Sequence, residues 1–322
     1  MTAPIEVEGL VREFGDIRAV DGVDLVVEEG EVFGFLGPNG AGKSTLVRML
    51  TTLLKPTSGR ARVAGFDVAT RAGDVRRSIG VALQDAAIDP LMTGTELMRL
   101  QAVLHGIGKA DALRRTDALL ERVGLTAAAG RRVGTYSGGM RRRLDLAMSL
   151  IHEPKVLFLD EPTTGLDPTS RLNLWDEVRN LNREGTTVFL TTQYLEEADE
   201  LAGRIAIIDH GRIVREGAPS ELKAAVGAPT LKVEVAPECY DKARDALARF
   251  GSERVARAGV IAIGLEGGAG EMTDVVRALD EAKVEVRHFE LDVPTLDDVF
   301  ADATGYRLEG ASAAAAAPEA EV

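Results

Sequence analysis

Over roughly the first 220 residues, short apolar runs alternate with stretches whose apolar residues recur at helical spacing. That pattern predicts an α/β domain built around a sheet. "GEVFGFLGPNGAGKST" passes from a strand through a glycine-rich turn into a helix that continues as "LVRMLTTLL". "KVLFLDEP" and "TTVFLTTQ" are continuous apolar runs, as expected of strands covered on both faces. Between them "PTSRLNLWDEVRNLNREG" has helical spacing through Leu172, Trp175, Val178 and Leu181, and Gly185 ends it. The segment from about Pro90 to Ile151 reads as wholly helical, a subdomain inserted into the connectivity of the sheet.

A break follows "APSELKAAVGAPT", so the first domain is expected to span residues 1–222, with its helical subdomain at about 90–151. Residues 230–307 again alternate strand and helix signals and predict a small α+β domain. The tail 308–322, "EGASAAAAAPEAEV" from Glu309, is expected to be disordered, with a short fraying helix as the alternative.

Composition narrows the function. A net charge of −13 over 322 residues argues against a large nucleic-acid footprint, which needs clustered Lys and Arg. The lone Cys239 rules out an intramolecular disulfide framework and reads as a small filler residue in a reducing compartment. No stretch approaches the ~20 apolar residues of a membrane span, and "MTAPIEVEG" lacks the features of a signal peptide. The expectation is a cytosolic chain.

Four stretches carry chemistry. "GPNGAGKST" (Gly37, Pro38, Asn39, Gly40, Ala41, Gly42, Lys43, Ser44, Thr45) matches G-x-x-x-x-G-K-[ST] between a strand and a helix. Glycines let the backbone curl so that successive N–H groups cradle phosphate oxygens at a positive helix end. Lys43 can reach the β- and γ-phosphates, and the Ser44 hydroxyl can ligate Mg²⁺. In "VLFLDEP", Asp160 and Glu161 end an apolar strand. They are either solvated caps or, beside a phosphate loop, a carboxylate for the Mg²⁺ shell and one to activate water. In "YSGGMRRRLDLAMSLI", Ser137 can cap a helix whose first N–H groups Gly138 and Gly139 leave exposed. Arg141 to Arg143 either raise the local potential or form a solvated face. Finally, Gln193 is a neutral amide at a strand tip in "FLTTQYLEEADEL".

Together, in this order, these motifs resemble the ATP-binding subunit of an ABC transporter over about residues 5–220. "GPNGAGKST" is similar to the Walker A loop, and "VLFLDEP" to Walker B followed by the catalytic glutamate. "YSGGM" resembles the signature usually written LSGGQ, from which Tyr136 and Met140 depart. Asp167 in "GLD" resembles the D-loop aspartate, and Gln84 in "IGVALQDAAI" the Q-loop glutamine that contacts Mg²⁺ and water. Phe14 resembles the aromatic that stacks on adenine, a core position being the alternative. At Gln193 the family normally carries a histidine, whose geometry glutamine can keep but whose charge it cannot.

The resemblance implies a P-loop ABC-type nucleotide-binding domain that binds ATP and Mg²⁺ and pairs head to tail with a second copy. Ser137, Gly138 and Gly139 of one copy would close over the γ-phosphate held by the other. Lys43, Glu161 and Gln193 are the catalytic residues so implied, and Ser44, Gln84 and Asp160 the metal-binding ones. "TTQYLEEADELA" and the closing "PTLDDVF" are similar to the drug- and antibiotic-resistance exporter branch. That implies a separate transmembrane permease, peripheral attachment at the cytoplasmic face of the cell membrane, and docking through "AAIDPLMTGTELMRL". The alternatives are a nucleotide-gated regulatory protein with weak hydrolysis and a non-transport ATPase of the same family.

Overall fold

Apolar strands without a polar face must be buried between layers. The computed structural model describes residues 3–83, 88–254, 256 and 259–306, in two compact units, one running to Pro219 and one beginning at Ser220. The first unit opens with β1 (Ile5–Phe14), β2 (Ile17–Val27), β3 (Val32–Leu36) and α1 (Lys43–Leu50). β4 (Ser58–Val63), β5 (Phe66–Asp67), α2 (Ala72–Ser78) and β6 (Ile79–Ala82) follow. A helical stretch comprises α3 (Gly94–Leu104), α4 (Lys109–Arg122) and α5 (Gly138–Leu150). The chain returns through β7 (Val156–Asp160), α6 (Pro168–Arg183), β8 (Thr187–Thr192), α7 (Leu195–Leu201), β9 (Arg204–Asp209) and β10 (Arg212–Gly217).

Two sheets result where the sequence reading had one. The first has the order β2-β1-β4-β5 and is antiparallel; its strands alternate buried and exposed positions because only one face is covered. The second has the order β10-β9-β3-β8-β7-β6 and is parallel except at the edge strand β10.

Every residue of β3, β7 and β8 is buried. The two-residue period of a strand sends Phe33, Phe35, Phe158 and Phe189 into a core shared with α1 and the antiparallel sheet. It sends Leu157, Leu159, Val188 and Leu190 the other way, against α5 and α6. Phe189 is the hub of the first core, its ring centroid 5.7, 5.6 and 5.5 Å from those of Phe33, Phe35 and Phe158. On α6 the buried stripe is Leu174, Trp175, Val178 and Leu181, whereas Leu172 is 55% exposed. At 100° per residue Leu172 falls well outside the arc those four occupy, which corrects the expected spacing.

The parallel order has one consequence for chemistry. The carboxyl ends of β3, β8 and β7 lie side by side, with Leu36 paired to Thr192 and Thr191 to Asp160. Ligands of open α/β sheets bind at such an edge.

In the second unit come α8 (Pro219–Val226), β11 (Thr230–Val235), α9 (Tyr240–Leu247), β12 (Glu253–Arg254) and β13 (Val260–Gly264). α10 (Met272–Glu281), β14 (Val286–Asp292) and α11 (Leu296–Thr304) complete it. Its antiparallel sheet has the order β12-β13-β11-β14. Ala243 and Leu247 of α9 and Val275 and Leu279 of α10 pack on Leu231, Val233, Ile261 and Ile263. Cys239 packs at the border of this core as a free thiol. A capping box between Thr295 and Asp298 starts α11. The tail 308–322 lies outside the described residues.

Candidate active site

β3 feeds a turn in which a side chain has no room at two points. A Cβ on Gly37 would meet the Ile208 carbonyl oxygen at 2.4 Å, and one on Gly42, at φ +111°, the Ala19 oxygen at 2.3 Å. Asn39 and Gly40 form the exposed crest of the turn, and Pro38, Ser44 and Thr45 are half-buried. Gly42 provides the N-cap of α1 without a side-chain acceptor, so the first N–H groups are left for an anion. Lys43 is only 4% exposed. Its Nζ donates to the carbonyls of Gly37 (2.7 Å) and Pro38 (3.0 Å) and lies 3.5 Å from Glu161 Oε1. Burial pulls the ammonium pKa below the lysine range, opposed by Glu161 and Asp160.

The two acids at the end of β7 are buried, which removes the solvated-cap reading: Asp160 is 3% and Glu161 7% exposed. Asp160 Oδ1 accepts from Thr191 Oγ1 at 2.5 Å and from Ser44 Oγ at 3.4 Å. A carboxylate beside a hydroxyl is a hard-oxygen donor pair, which fits Mg²⁺. Glu161 adopts φ +47°, a left-handed conformation that costs a non-glycine residue about 1–3 kcal/mol. Neighbouring β8 holds it there, since Glu161 N–H donates to the Thr191 carbonyl (3.0 Å) and to Thr191 Oγ1 (3.2 Å). Its carboxylate lines a cleft of about 620 Å³ with Thr164, Gly138, Arg141 and Arg142.

Gln193 directly follows β8, so it occupies the same edge as Glu161. The turn is set by Tyr194 N–H donating to Thr192 Oγ1 at 2.9 Å. Phe14 is 46% exposed with the Arg12 guanidinium 4.4 Å from its ring centre, which excludes the core alternative. It pairs with Ile17, two residues before the Ala19 that touches Gly42. Gln84 lies outside the described residues, as do Ala86 and Ala87 of the expected docking stretch.

Ser137 and Gly138 are exposed at the start of α5, and Ser137 Oγ caps it by accepting from Met140 N–H at 3.2 Å. Gly139 is buried, where a Cβ would come within 2.8 Å of Ser170 Oγ. Asp167 is exposed and caps α6, accepting from Ser170 N–H (3.0 Å) and Oγ (2.6 Å), which hold its carboxyl below the usual range.

The signature departures have a packing explanation. Tyr136 is 3% exposed, and its hydroxyl donates to the Ala128 carbonyl at 2.7 Å. Met140, partly buried, packs against the same core of the helical stretch. Tyr136→Phe is therefore expected to lower stability by about 1–2 kcal/mol, read in a denaturant melt, with unchanged nucleotide affinity. A weakened nucleotide affinity would count against a purely packing role.

Sequence reasoning missed the contacts of three groups that the fold shields from solvent, two of them fully buried. Thr191 hydrogen-bonds both acids, as above. Glu197 is 0% exposed, with Trp175 Nε1 donating to it at 3.1 Å, and burial pushes its carboxyl above the usual range. Arg142 is no solvated face: it donates to the carbonyls of Leu83, Asp160 and Pro162, and its charge stands among Asp145, Asp160, Glu197 and Glu161. Arg141 and Arg143 likewise bond the carbonyls of Tyr136 and Val123.

A glycine-rich loop on a buried lysine, two strand-end acids and a parallel sheet with an inserted helical stretch define a P-loop ATPase of the ABC type. The comparisons agree. Residues 20–164 match the family model for ABC transporters, and residues 217–304 that for the C-terminal domain of DrrA1-3-like ATP-binding proteins. The daunorubicin/doxorubicin resistance ATP-binding protein DrrA of Streptomyces peucetius is 47% identical, covering 100% of this chain and 98% of its own. The daunorubicin resistance ATP-binding protein DrrA3 of Streptomyces coeruleorubidus is 48% identical over 94% of this chain and 96% of its own. Among solved structures, the dimeric post-hydrolysis state of the cassette MJ0796 bound to ADP and Pi aligns with TM-score 0.62 and 25% identity, covering 66% of this chain and 98% of that one. The chain belongs to the ATP-binding proteins of ABC transporters, in the branch that carries the DrrA-like C-terminal domain. It is an ATPase.

Proposed function

We propose that this ATPase is the motor subunit of an exporter whose cargo is a drug, antibiotic or other hydrophobic compound. The observation that carries the reading is the convergence of Lys43, Asp160, Glu161 and Gln193 at the ends of three neighbouring strands. Similarity along the whole chain to daunorubicin resistance proteins supports the class of cargo.

In this reading the loop Gly37–Thr45 holds the ATP phosphates, with Lys43 transferring its hydrogen bonds from the Gly37 and Pro38 carbonyls to phosphate oxygens. Ser44, Asp160 and Gln84 hold Mg²⁺, which when bound offsets charge on the phosphates. Glu161 accepts a proton from the attacking water, Gln193 orients that water and the γ-phosphate, and Phe14 offers a ring face to adenine. Exposed Ser137, Gly138 and Asp167, with buried Gly139, serve the second copy in a head-to-tail dimer. Residues 1–222 form the ATPase domain, 90–151 its helical subdomain and 230–307 an accessory domain.

No described helix is long and apolar enough to cross a membrane. In this reading a permease on a separate chain spans the membrane and this subunit attaches to it peripherally at the cytoplasmic face, which the similarity to ATP-binding proteins of ABC transporters supports. Leu97 and Met98 of the docking stretch are buried, while Leu91 and Leu100 are 71% and 45% exposed and free to meet it. The regulatory and non-transport alternatives have no separate observation in their favour.

Gln193→Ala tests the reading. Turnover is expected to fall about 10-fold or more while ATP affinity changes little, because the amide acts on the reacting γ-phosphate and water. Phosphate release and a fluorescent-nucleotide titration measure the two; parental turnover would make Gln193 a bystander.

A further inference from the structure

We infer that Arg142 is a positioning residue that locks the signature helix to the turn carrying Glu161, so that α5 and the water-activating carboxylate move as one body. The inference deepens the proposed function and rests on its assignment of Glu161. It starts from what one side chain does with its donors. Arg142 lies in the first turns of α5, just after Ser137–Gly139, and its side chain is 12% exposed. Nη1 donates to the Leu83 carbonyl at 2.6 Å, Nη2 to that of Asp160 at 2.7 Å and Nε to that of Pro162 at 2.9 Å. Asp145, one turn along the helix, lies 3.5 Å from Nη1.

Those carbonyls belong to functional segments. Asp160 and Pro162 flank Glu161 on both sides, at the point where the backbone is forced to φ +47°. Leu83 is the residue before Gln84. The strained turn is thus clamped from two directions, by Thr191 of β8 on the Glu161 amide and by Arg142 on the flanking carbonyls. A guanidinium suits the task because its donors diverge in a rigid plane, which matches fixed acceptors on separate segments. A lysine ammonium has three donors but no planar fork. Burial works against the Arg142 charge, and Asp145, Asp160, Glu197 and Glu161 counter it. Two of those acids, Asp160 and Glu161, are the strand-end carboxylates of the site itself. A displacement of α5, whose exposed N-terminus faces the second copy in the proposed dimer, would pull on both neighbours of Glu161.

The test uses the full chain with Arg142→Lys, Arg142→Gln, Arg143→Ala and Glu161→Gln. Arg143 sits on the same helix and among the described residues bonds the Val123 carbonyl alone, so its loss controls for general weakening of α5. The expected result is a kcat about 100-fold lower in both Arg142 variants, the scale of a misplacement of about 1 Å. KM for ATP and fluorescent-nucleotide affinity should stay within about threefold, lysine should fail to rescue, and Arg143→Ala should keep its turnover.

A kcat within about threefold of the parent in Arg142→Lys overturns the inference, as does a loss of affinity in proportion to turnover. Circular dichroism identifies variants that do not fold. If the glutamine variant unfolds, the lysine variant decides; if both unfold, Arg142 is structural only and the inference fails. Glu161→Gln separates the two ideas. Lost turnover there with normal Arg142 variants sinks the positioning role alone, whereas retained turnover sinks the assignment of Glu161 on which it rests.

Discussion

Replacing Glu161 by glutamine is expected to abolish most turnover and leave ATP binding intact. The two side chains have the same shape, so the cleft, the Thr191 bonds to the backbone N–H and the left-handed turn at φ +47° all survive. What is lost is the ability to accept a proton from water. General-base contributions of this kind are about 10²–10⁴-fold. The substitution also removes the negative partner 3.5 Å from Lys43, leaving its ammonium more available to phosphate. Affinity should therefore hold or rise slightly, and a nucleotide-dependent dimer should accumulate because closure is no longer undone by hydrolysis. Phosphate release and gel filtration with and without ATP read these outcomes. Turnover at the parental rate would remove Glu161 from the catalytic role.

Lys43→Ala is expected to act on binding instead. Its Nζ is the charged donor nearest the turn and holds the Gly37 and Pro38 carbonyls at 2.7 and 3.0 Å. A hydrogen bond to a charged group contributes about 1.5–3 kcal/mol, which corresponds to a roughly 10- to 100-fold weaker ATP affinity. The effect on the fold should be smaller. The deletion relieves a buried ammonium of its desolvation cost but leaves the buried Glu161 without its close cation. The clearest readout is the thermal shift on adding ATP, since a ligand stabilises only as far as its concentration exceeds its dissociation constant. That shift should be large in the parent and nearly absent in the variant. An unchanged shift would rule out Lys43 as a phosphate ligand.

Legibility along the chain divides by the range of the interactions involved. The turn 37–45 could be read directly because its conformation is set by its own glycines and the adjoining strand and helix. Asp160, Glu161 and Gln193 could be located at strand ends from apolar runs alone. Helix α6 was legible as an element, yet Leu172 was assigned to its buried face, because spacing gives a period and only the neighbours give the phase. Arg142 was read as surface or local field because nothing nearby in sequence signals acceptors at Leu83, 59 residues away, or at Asp160, 18 away. Tyr136 stands in the sequence only as a departure from the signature, because the carbonyl that accepts its hydroxyl, that of Ala128, lies eight residues away and is brought to it by the fold.

The sequence by itself determined the chemistry: which turn can cradle phosphate, which residues can act as cation, metal ligand and base, and that an amide stands where a titratable ring is usual. Those properties belong to residue types and short spacings, and they are local. Only the tertiary structure decided the order β3-β8-β7, and with it that Lys43, Asp160, Glu161 and Gln193 share one edge. It alone showed that a second sheet covers the core and that Arg142, largely shielded from solvent, ties α5 to the turn carrying Glu161. Strand order and the partners of buried charges are set by packing the whole chain at once, where distant segments compete to satisfy every buried polar group.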